Sequence, residues 1–294
     1  MKVLRTPDSR FENLPDYPFA PRYADVDGLR MHYVDEGKGE LVLLLHGEPS
    51  WSYLYRHMIP PLVDAGYRVV APDLIGFGRS DKLPGIRDYS YERHVNWMRR
   101  FIETLGLDSI NLFCQDWGSL IGLRVAAENE HRFARIALGN GGLPTGDQPM
   151  PKAFLNWQRF AKYSPYFPIG KIIQNGTVAE LDRAVVAAYD APFPSSKFKA
   201  AARAFPLLVP TQPDDPASEA NRAAWQVFKE WQKPFMTMFS DKDPITRGGE
   251  RHWQASVPGA RGVRHVTIHG AGHFLQEEKG PELAESMIAF IAGT

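Results

Sequence analysis

The segment around Asp116 constrains the fold of this chain more than any other. The apolar run Ile110–Phe113 precedes Asp116, and the helical pattern Ser119–Glu128 follows it. Cys114 and Gly118, two positions to either side, are small. A very tight strand-to-helix turn needs small residues there, because larger side chains would collide with the neighbouring backbone. The segment therefore predicts a sharp elbow with a carboxylate at its tip.

Asp116 also has a simpler interpretation. Aspartate is common at the N-cap of a helix, where its side chain accepts hydrogen bonds from the first backbone N–H groups. Taken alone, the segment does not separate a capping aspartate from a reactive one. The rest of the chain favours the reactive aspartate, because it supplies the other groups that a carboxylate nucleophile would need.

Strand and helix patterns alternate through most of the chain. Leu41–Leu45 is apolar throughout, as expected for a strand buried on both faces, whereas Leu29–Val34 alternates like an edge strand. The other predicted strands are Tyr67–Ala71, Ile110–Phe113, Arg135–Gly139, Phe235–Phe239 and Val263–Ile268, and the helices include Tyr53–Ala65, Tyr89–Leu105 and Pro281–Ile291. This alternation predicts an α/β fold with a mostly parallel, doubly wound sheet.

The alternation stops between residues 143 and 224. Eleven of the 24 prolines fall in this stretch, strand patterns disappear, and aromatic helical segments such as Phe154–Ala161 replace them. We expect an inserted helical cap over the carboxyl edge of the sheet. The cap would divide the main domain into residues 1–142 and 225–294.

Composition narrows the class of partner. Lys plus Arg equals Asp plus Glu, so the chain has no basic excess for nucleic acid. The single cysteine excludes an intramolecular disulfide and suits a reducing compartment. Residues 1–20 have no apolar targeting core, and no apolar run is long enough to span a membrane. We therefore expect a cytoplasmic protein, and we favour a monomer although the sequence does not fix the oligomeric state.

Polar residues follow several predicted strands at the points where those strands end. They are Glu48, Asp116, Asp243 and His273. Ligands of an open parallel sheet bind at the carboxyl ends of the strands, so we expect these four side chains to meet. The chain order of nucleophile, acid and histidine is the order of the α/β-hydrolase arrangement.

The acid and the base each have alternatives. His273 lies in Gly-Ala-Gly-His-Phe, where small neighbours allow the imidazole to turn inward, although a loop histidine can also simply form local hydrogen bonds. Asp241 and Asp243 both follow a strand. We favour Asp243, because Pro244 after it enforces an extended backbone.

The loop after Leu41–Leu45 has two interpretations. Gly47 would let the backbone N–H of Glu48 point into the site, where it and the N–H of Trp117 could form an oxyanion hole. A plain turn would have much the same sequence. The Trp117 indole N–H is a donor that cannot accept, which suits an anion.

These motifs resemble the haloalkane dehalogenases of the α/β-hydrolase superfamily over nearly the whole chain. The resemblance rests on His46–Arg56, Pro72–Asp81, Gln115–Gly118, Asp241–Pro244 and Gly272–Glu277. One branch of that family holds halide with a tryptophan and an asparagine after His-Gly, where this chain has Glu48. The chain is more similar to the branch with two tryptophans, which implies a halide site formed by Trp117 and a cap tryptophan.

The resemblance assigns the second halide role to Trp157, in the first predicted cap helix. Trp225 and Trp231, near the end of the cap, are less favoured candidates. An aromatic residue that only packs the cap on the core is the alternative for Trp157.

The resemblance also implies a reaction that needs no cofactor and no metal. Asp116 would displace halide from a haloalkane and form an alkyl ester. His273, oriented by Asp243, would then activate water, helped by Glu48 and Trp117, to release a primary alcohol. The expected partners are therefore a small halogenated aliphatic substrate and a halide ion.

Two alternatives remain open at this point. An epoxide hydrolase would share Asp116, His273 and Asp243, but it would need acidic donors such as the cap residues Tyr163, Tyr166 or Tyr189. A non-catalytic small-molecule binding protein on the same scaffold is the other, although such proteins tend to lose the nucleophile or the histidine.

Overall fold

Eight strands form one sheet in the computed structural model, which describes residues 2–294. They are β1 (Arg22–Val26), β2 (Leu29–Gly37), β3 (Leu41–Leu45), β4 (Arg68–Pro72), β5 (Ile110–Cys114), β6 (Phe133–Gly139), β7 (Phe235–Ser240) and β8 (Val266–Ile268). Their order across the sheet is β1-β2-β4-β3-β5-β6-β7-β8. β2 pairs antiparallel with both β1 and β4, and all other pairs are parallel. The predicted α/β class with a mostly parallel sheet is confirmed.

Helices cover both faces of the sheet. They are α1 (Ile59–Asp64), α2 (Tyr91–Thr104), α3 (Trp117–Glu128), α4 (Lys152–Tyr163), α5 (Ile169–Asn175), α6 (Arg183–Asp190), α7 (Ala200–Leu208), α8 (Ser218–Glu230), α9 (Glu250–Ser256) and α10 (Leu275–Ala292). Leu43 of β3 joins the core beneath α2 and α3, and its neighbour Leu44 joins the core beneath α1 and α10. Both residues are fully buried, which explains why β3 is apolar at every position.

The prediction of an edge strand at Leu29–Val34 is wrong. β2 lies inside the sheet, because β1 pairs along its outer side. Asp27 and Gly28 connect the two strands, and both have positive φ (53° and 76°). A two-residue Asp-Gly loop is a strong hairpin signal, so the sequence does contain the information for β1.

Three predicted segments have different bounds in the structure. The predicted helix Tyr53–Ala65 is a short 3-10 turn at Ser52–Tyr55 followed by α1, whose Pro60 and Pro61 lie in the first turn, where a missing N–H costs little. The last helix begins at Leu275 rather than Pro281, with a non-helical residue at Lys279. The predicted strand Val263–Ile268 is reduced to β8.

Helices α4 to α7 and the start of α8 occupy the stretch predicted as a cap. Residue 224 falls inside α8, which continues to Glu230 and packs against α3 of the main domain. A boundary at 224 would therefore cut a helix, and the domain limits stay predictions. No helix within residues 2–294 has both the length and the apolar character needed to cross a bilayer.

Polar contacts, buried at Glu277 and exposed at Glu278, join the predicted cap to α10. Glu277 of α10 pairs with Arg56 at 2.5 Å, and the Tyr189 hydroxyl of α6 donates to the same carboxylate. Glu278, next in the chain, accepts hydrogen bonds from the backbone N–H groups of Val178 and Ala179 at 2.8 Å each. We call these contacts the cap tether.

Candidate active site

Asp116 lies at the tip of a strained elbow between β5 and α3. Its backbone has φ 50° and ψ −127°, a region that non-glycine residues rarely adopt and that clusters at functional sites. Its N–H donates to the carbonyl of Asn140 at 2.9 Å, which holds the turn. Asp116 occupies the N-cap position of α3, yet its side chain makes no capping hydrogen bond. The simple capping interpretation therefore does not explain this residue.

Two glycines make room for the elbow. A Cβ atom at Gly118 would lie 2.0 Å from the Leu45 carbonyl oxygen, so no side chain fits there. A Cβ atom at Gly47 would lie 2.3 Å from Oδ1 of Asp116. The restriction at Gly118 is the one predicted from the sequence, and the restriction at Gly47 shows that the loop after β3 packs directly on the carboxylate.

The Asp116 carboxylate has a different partner on each oxygen. The Glu48 N–H donates to Oδ1 at 2.6 Å, and Nε2 of His273 lies 3.4 Å from Oδ2. Among residues 2–294, Glu48 is the one whose backbone N–H forms a hydrogen bond with this carboxylate, and the Trp117 N–H forms none. The resting site therefore contains one of the two predicted oxyanion-hole contacts.

His273 bridges two carboxylates. Its Nδ1 lies 3.1 Å from Oδ2 of Asp243, opposite the Asp116 contact at Nε2. Burial acts to lower the pKa of His273, but the negative charge of Asp243 and the contact with Asp116 outweigh it and raise the pKa to about 10. Asp243 is fully buried; burial acts to raise its pKa, but His273 and the hydrogen bonds from Thr246 lower it to about 2.

Asp241 and Asp243 have distinct surroundings. Asp241 faces the surface, where its carboxylate accepts from the Gly270 N–H at 2.8 Å and lies 3.3 Å from Nδ1 of His269. Asp243 instead accepts from the N–H groups of Ile245 and Thr246 and faces His273. The structure thus brings Asp243, and not Asp241, to the predicted base.

The Glu48 side chain is buried beside the Asp116 carboxylate. One of its carboxylate oxygens has no hydrogen-bond partner among residues 2–294. Burial raises the pKa of Glu48 well above its ordinary value, and the charge of Asp116 raises it further, whereas His273 and the Trp157 indole act in the opposite direction. These shifts favour a neutral Glu48 carboxyl while Asp116 is charged.

A cavity of about 760 Å³ lies between the sheet edge and the predicted cap. Glu48, Asp116, Trp117 and His273 line it from the sheet side. The opposite side is mostly apolar and includes Phe154, Trp157, Ile172, Val178 and Val209. Both tryptophans predicted for halide binding therefore face the same cavity as the predicted nucleophile.

The two halide-site candidates are held by aromatic neighbours. The Trp117 ring packs against Phe205 of α7 with centroids 4.3 Å apart, and against Tyr91 at 5.0 Å. Trp157 stacks with Phe160 at 5.7 Å and lies 5.6 Å from Phe167.

The remaining candidates are less well placed. Trp225 lines the cavity, but its indole N–H donates to the Leu143 carbonyl at 2.8 Å. Trp231 is buried outside the cavity lining. Tyr163 and Tyr166 are exposed, and Tyr189 is buried in the cap tether. Within residues 2–294, no tyrosine lines the cavity.

Two buried residues of the site were missed from the sequence. The Gln115 amide nitrogen lies 3.2 Å from Nε2 of His273 and donates to the His273 carbonyl at 3.2 Å. Asn140 holds three loops together, because it accepts from the Asp116 and Ser240 N–H groups and donates to the Gly272 carbonyl. The signal for Asn140 was present, since it directly follows the predicted strand Arg135–Gly139.

Comparison with known proteins first gives the class of fold. The family model for the alpha/beta hydrolase fold matches residues 40–280. The solved tetrameric structure of the haloalkane dehalogenase DpaA from Paraglaciecola agarilytica NO2 superimposes with a TM-score of 0.92 at 36% identity, covering 100% of this chain and 99% of that one. The chain is thus built as an α/β hydrolase throughout.

Relatives with high sequence identity then identify the family within this fold class. A haloalkane dehalogenase of Psychrobacter cryohalolentis is 57% identical over 298 residues, which cover 99% of this chain and 98% of the relative. Haloalkane dehalogenase 1 of Mycobacterium tuberculosis is 54% identical over 301 residues and the full length of both chains. The chain belongs to the haloalkane dehalogenases, hydrolases that act on carbon–halogen bonds and release halide from haloalkanes.

Proposed function

We propose that Asp116 carries out the displacement that breaks the carbon–halogen bond. Oδ1 is held by the Glu48 N–H, so Oδ2 is the oxygen available to attack carbon. A bond forms between Oδ2 and carbon, the carbon–halogen bond breaks, and the electron pair leaves with the halide. The observation that carries this proposal is the non-capping Asp116 carboxylate, which lines the cavity with His273 beside it.

In the second step, His273 removes a proton from water, and the water oxygen attacks Cγ of the ester. The bond between Cγ and the alkyl oxygen then breaks, which frees the alcohol and restores the Asp116 carboxylate, while the proton passes to solvent. Esterification removes the Asp116 charge, which is one of the causes that raise the pKa of His273. The first step therefore favours the neutral imidazole that the second step requires.

Asp243 keeps the imidazole proton on Nδ1, so that Nε2 faces the ester. The Glu48 N–H stabilises the charge that develops on Oδ1, and we propose that the Trp117 N–H joins it as the tetrahedral intermediate forms. The buried Glu48 oxygen that has no partner among residues 2–294 is suited to hold the attacking water.

The departing halide is received by the indole N–H groups of Trp117 and Trp157. Trp117 and Trp157 both line the cavity, and hydrogen bonds to an anion are stronger in a mostly apolar lining than in water. In the resting site, Trp157 is close enough to Glu48 to lower the pKa of its carboxyl. Halide would therefore compete with Glu48 for this N–H.

The experiment that tests the proposal is His273→Phe. It removes the base but leaves the nucleophile, so we expect one halide per active site followed by a stable alkyl ester on Asp116. Rapid-quench halide measurement with 1,2-dibromoethane and peptide mass spectrometry would detect both. His269→Phe is the control. Because His269 is exposed, this variant should turn over the substrate at the normal rate. A halide burst without an adduct on Asp116 would reject the nucleophile assignment.

Location in the cytoplasm and a monomeric state remain proposals. The single cysteine, which is buried and free, supports a reducing compartment. DpaA is a tetramer, so light scattering of the purified protein is needed to decide between one and four copies.

A further inference from the structure

Gln115 precedes the nucleophile and is fully buried, yet the proposed reaction gives it no role. Its amide nitrogen reaches two atoms of His273, the carbonyl oxygen and Nε2, each at 3.2 Å. The amide oxygen accepts from Nε2 of Gln276 at 3.3 Å. Gln276 is also fully buried and lies close to the hydroxyl of Tyr55.

The direction of this hydrogen-bond chain is fixed at both ends by carbonyl groups. The Tyr55 hydroxyl donates to the Leu45 carbonyl at 2.7 Å, so it can only accept from Nε2 of Gln276, 3.5 Å away. Gln276 therefore presents its NH₂ group to Gln115. At the other end, the His273 carbonyl can only accept, which requires the NH₂ group of Gln115 on that side. Reversing either amide would set two acceptors against each other.

The chain consequently directs an N–H group at Nε2 of His273. A charged imidazole carries a proton on Nε2 and would place two donors face to face, whereas the neutral form with its proton on Nδ1 accepts this bond. The other ionisable groups around the ring are Asp243 at Nδ1, Asp116 at Nε2 and Glu48 beside Asp116. The carboxylates of Asp243 and Asp116 favour the charged ring, whereas burial favours the neutral form of Glu48, so the Gln115 amide acts against the two aspartates.

We propose that Gln115 is a positioning residue for ester hydrolysis, whose amide favours the neutral form of His273 with its lone pair at Nε2. This inference rests on the proposed roles of Asp116 and His273. The hydrogen bond from Gln115 to Nε2 is long, so a water molecule can replace the amide at Nε2. The NH₂ group of Gln115 then keeps its hydrogen bond to the His273 carbonyl. The amide therefore sets the protonation state of the base without blocking it.

The test is the pH dependence of ester hydrolysis in Gln115→Met, which keeps the approximate shape and removes the donor. The wild-type hydrolysis rate should rise with pH as His273 loses its proton. Without the amide, we expect this rise to move about one pH unit upward, the effect of one hydrogen bond. Single-turnover quench experiments with 1,2-dibromoethane, followed by mass spectrometry of the ester, would measure it.

Two further variants keep the test decisive. Gln276→Met removes only the support of the Gln115 amide, so we expect a smaller shift in the same direction. Gln254→Met is the control, because Gln254 lies on α9, outside the site, and donates to Thr237 of β7. If Gln115→Met does not fold or gives no halide burst, the shift in Gln276→Met decides the question.

The outcomes separate this inference from the proposed function. Slower hydrolysis by the same factor at every pH would show that Gln115 only supports the structure, and would overturn the inference. Failure of His273→Phe to trap an ester would instead reject the proposed function. A trapped ester together with an unmoved pH profile would leave that function intact and remove only the role of Gln115.

Discussion

The two walls of the cavity are built in different ways. The sheet wall, formed by Glu48, Asp116, Trp117 and His273, carries the reactive groups on loops at strand ends and fixes them by hydrogen bonds and close backbone packing. The cap wall, which includes Phe154, Trp157 and Ile172, consists mostly of apolar side chains that pack on the hydrophobic core. Hydrogen bonds fix direction and aromatic packing excludes water, so we expect substitutions in the two walls to fail differently.

The largest effect should follow loss of the proposed nucleophile in the sheet wall. Asp116→Ala removes the oxygen that we propose bonds to carbon, so we expect steady-state halide release to fall by at least about 10³-fold. Asp241→Ala is the matched control, because Asp241 lies in the loop after β7, as Asp243 does, but faces the surface. Comparable loss in both variants would mean that the carboxylates act through stability rather than chemistry.

Backbone packing in the sheet wall predicts a large loss of stability. In Gly118→Ala the new methyl group would meet the Leu45 carbonyl, and backbone cannot move aside as a side chain can. We expect the free energy of unfolding to fall by about 3 kcal/mol, measured by denaturant titration. Gly142→Ala is the control, because nothing lies within 4 Å of its Cβ position. Equal stability of the two variants would contradict this account of the elbow.

In the cap wall the expected effect is on halide rather than on folding. Trp157→Phe keeps an aromatic ring but removes the indole N–H. We therefore expect kcat/KM for bromoalkanes to fall about 10- to 100-fold, the effect of losing a hydrogen bond to a charged group. Trp231→Phe should leave kcat/KM unchanged, since Trp231 lies outside the cavity lining. The assignment of the second halide donor would fail if both variants lost the same activity.

The smallest effect is the contribution of Asp243, in the loop after β7, to the stability of the protein in acid. The pKa of Asp243 is lowered to about 2 in the folded protein, so its contribution is present above its unfolded value and is lost as pH falls toward about 2. The gap in melting temperature between wild type and Asp243→Asn should therefore close over that range. A gap that is constant with pH would show that the pKa of Asp243 is not shifted by folding.

The sheet wall was largely predictable because its information is local. Asp116 and His273 follow short apolar or glycine-rich segments, and parallel strands bring their carboxyl ends to one edge. Asp243 could be preferred over Asp241 only weakly, because both follow the same strand. The structure separates them, since one faces His273 and the other faces solvent.

The parts that could not be predicted depend on contacts distant in sequence. Gln115 meets His273 across 158 positions, and no local pattern reports such a contact. Trp157 came from a family resemblance, because cap helices of similar composition could pack in several ways. β1 is a different case: the Asp27-Gly28 signal was local and was overlooked, and the result was an edge strand assigned one position too far inward.

The cap tether restricts the exchange of the predicted cap between this enzyme and its relatives. Glu277 and Glu278 join the predicted cap to α10, the helix that follows the proposed base, and the His273 N–H itself donates to the Gly176 carbonyl at 2.7 Å. Replacing the predicted cap with that of a relative would change the lining of the cavity and the backbone support of the imidazole together. Chimeras designed to alter the preference for substrate chain length should therefore carry the segment 176–179 together with α10. The contacts between these two segments are then kept in the recipient.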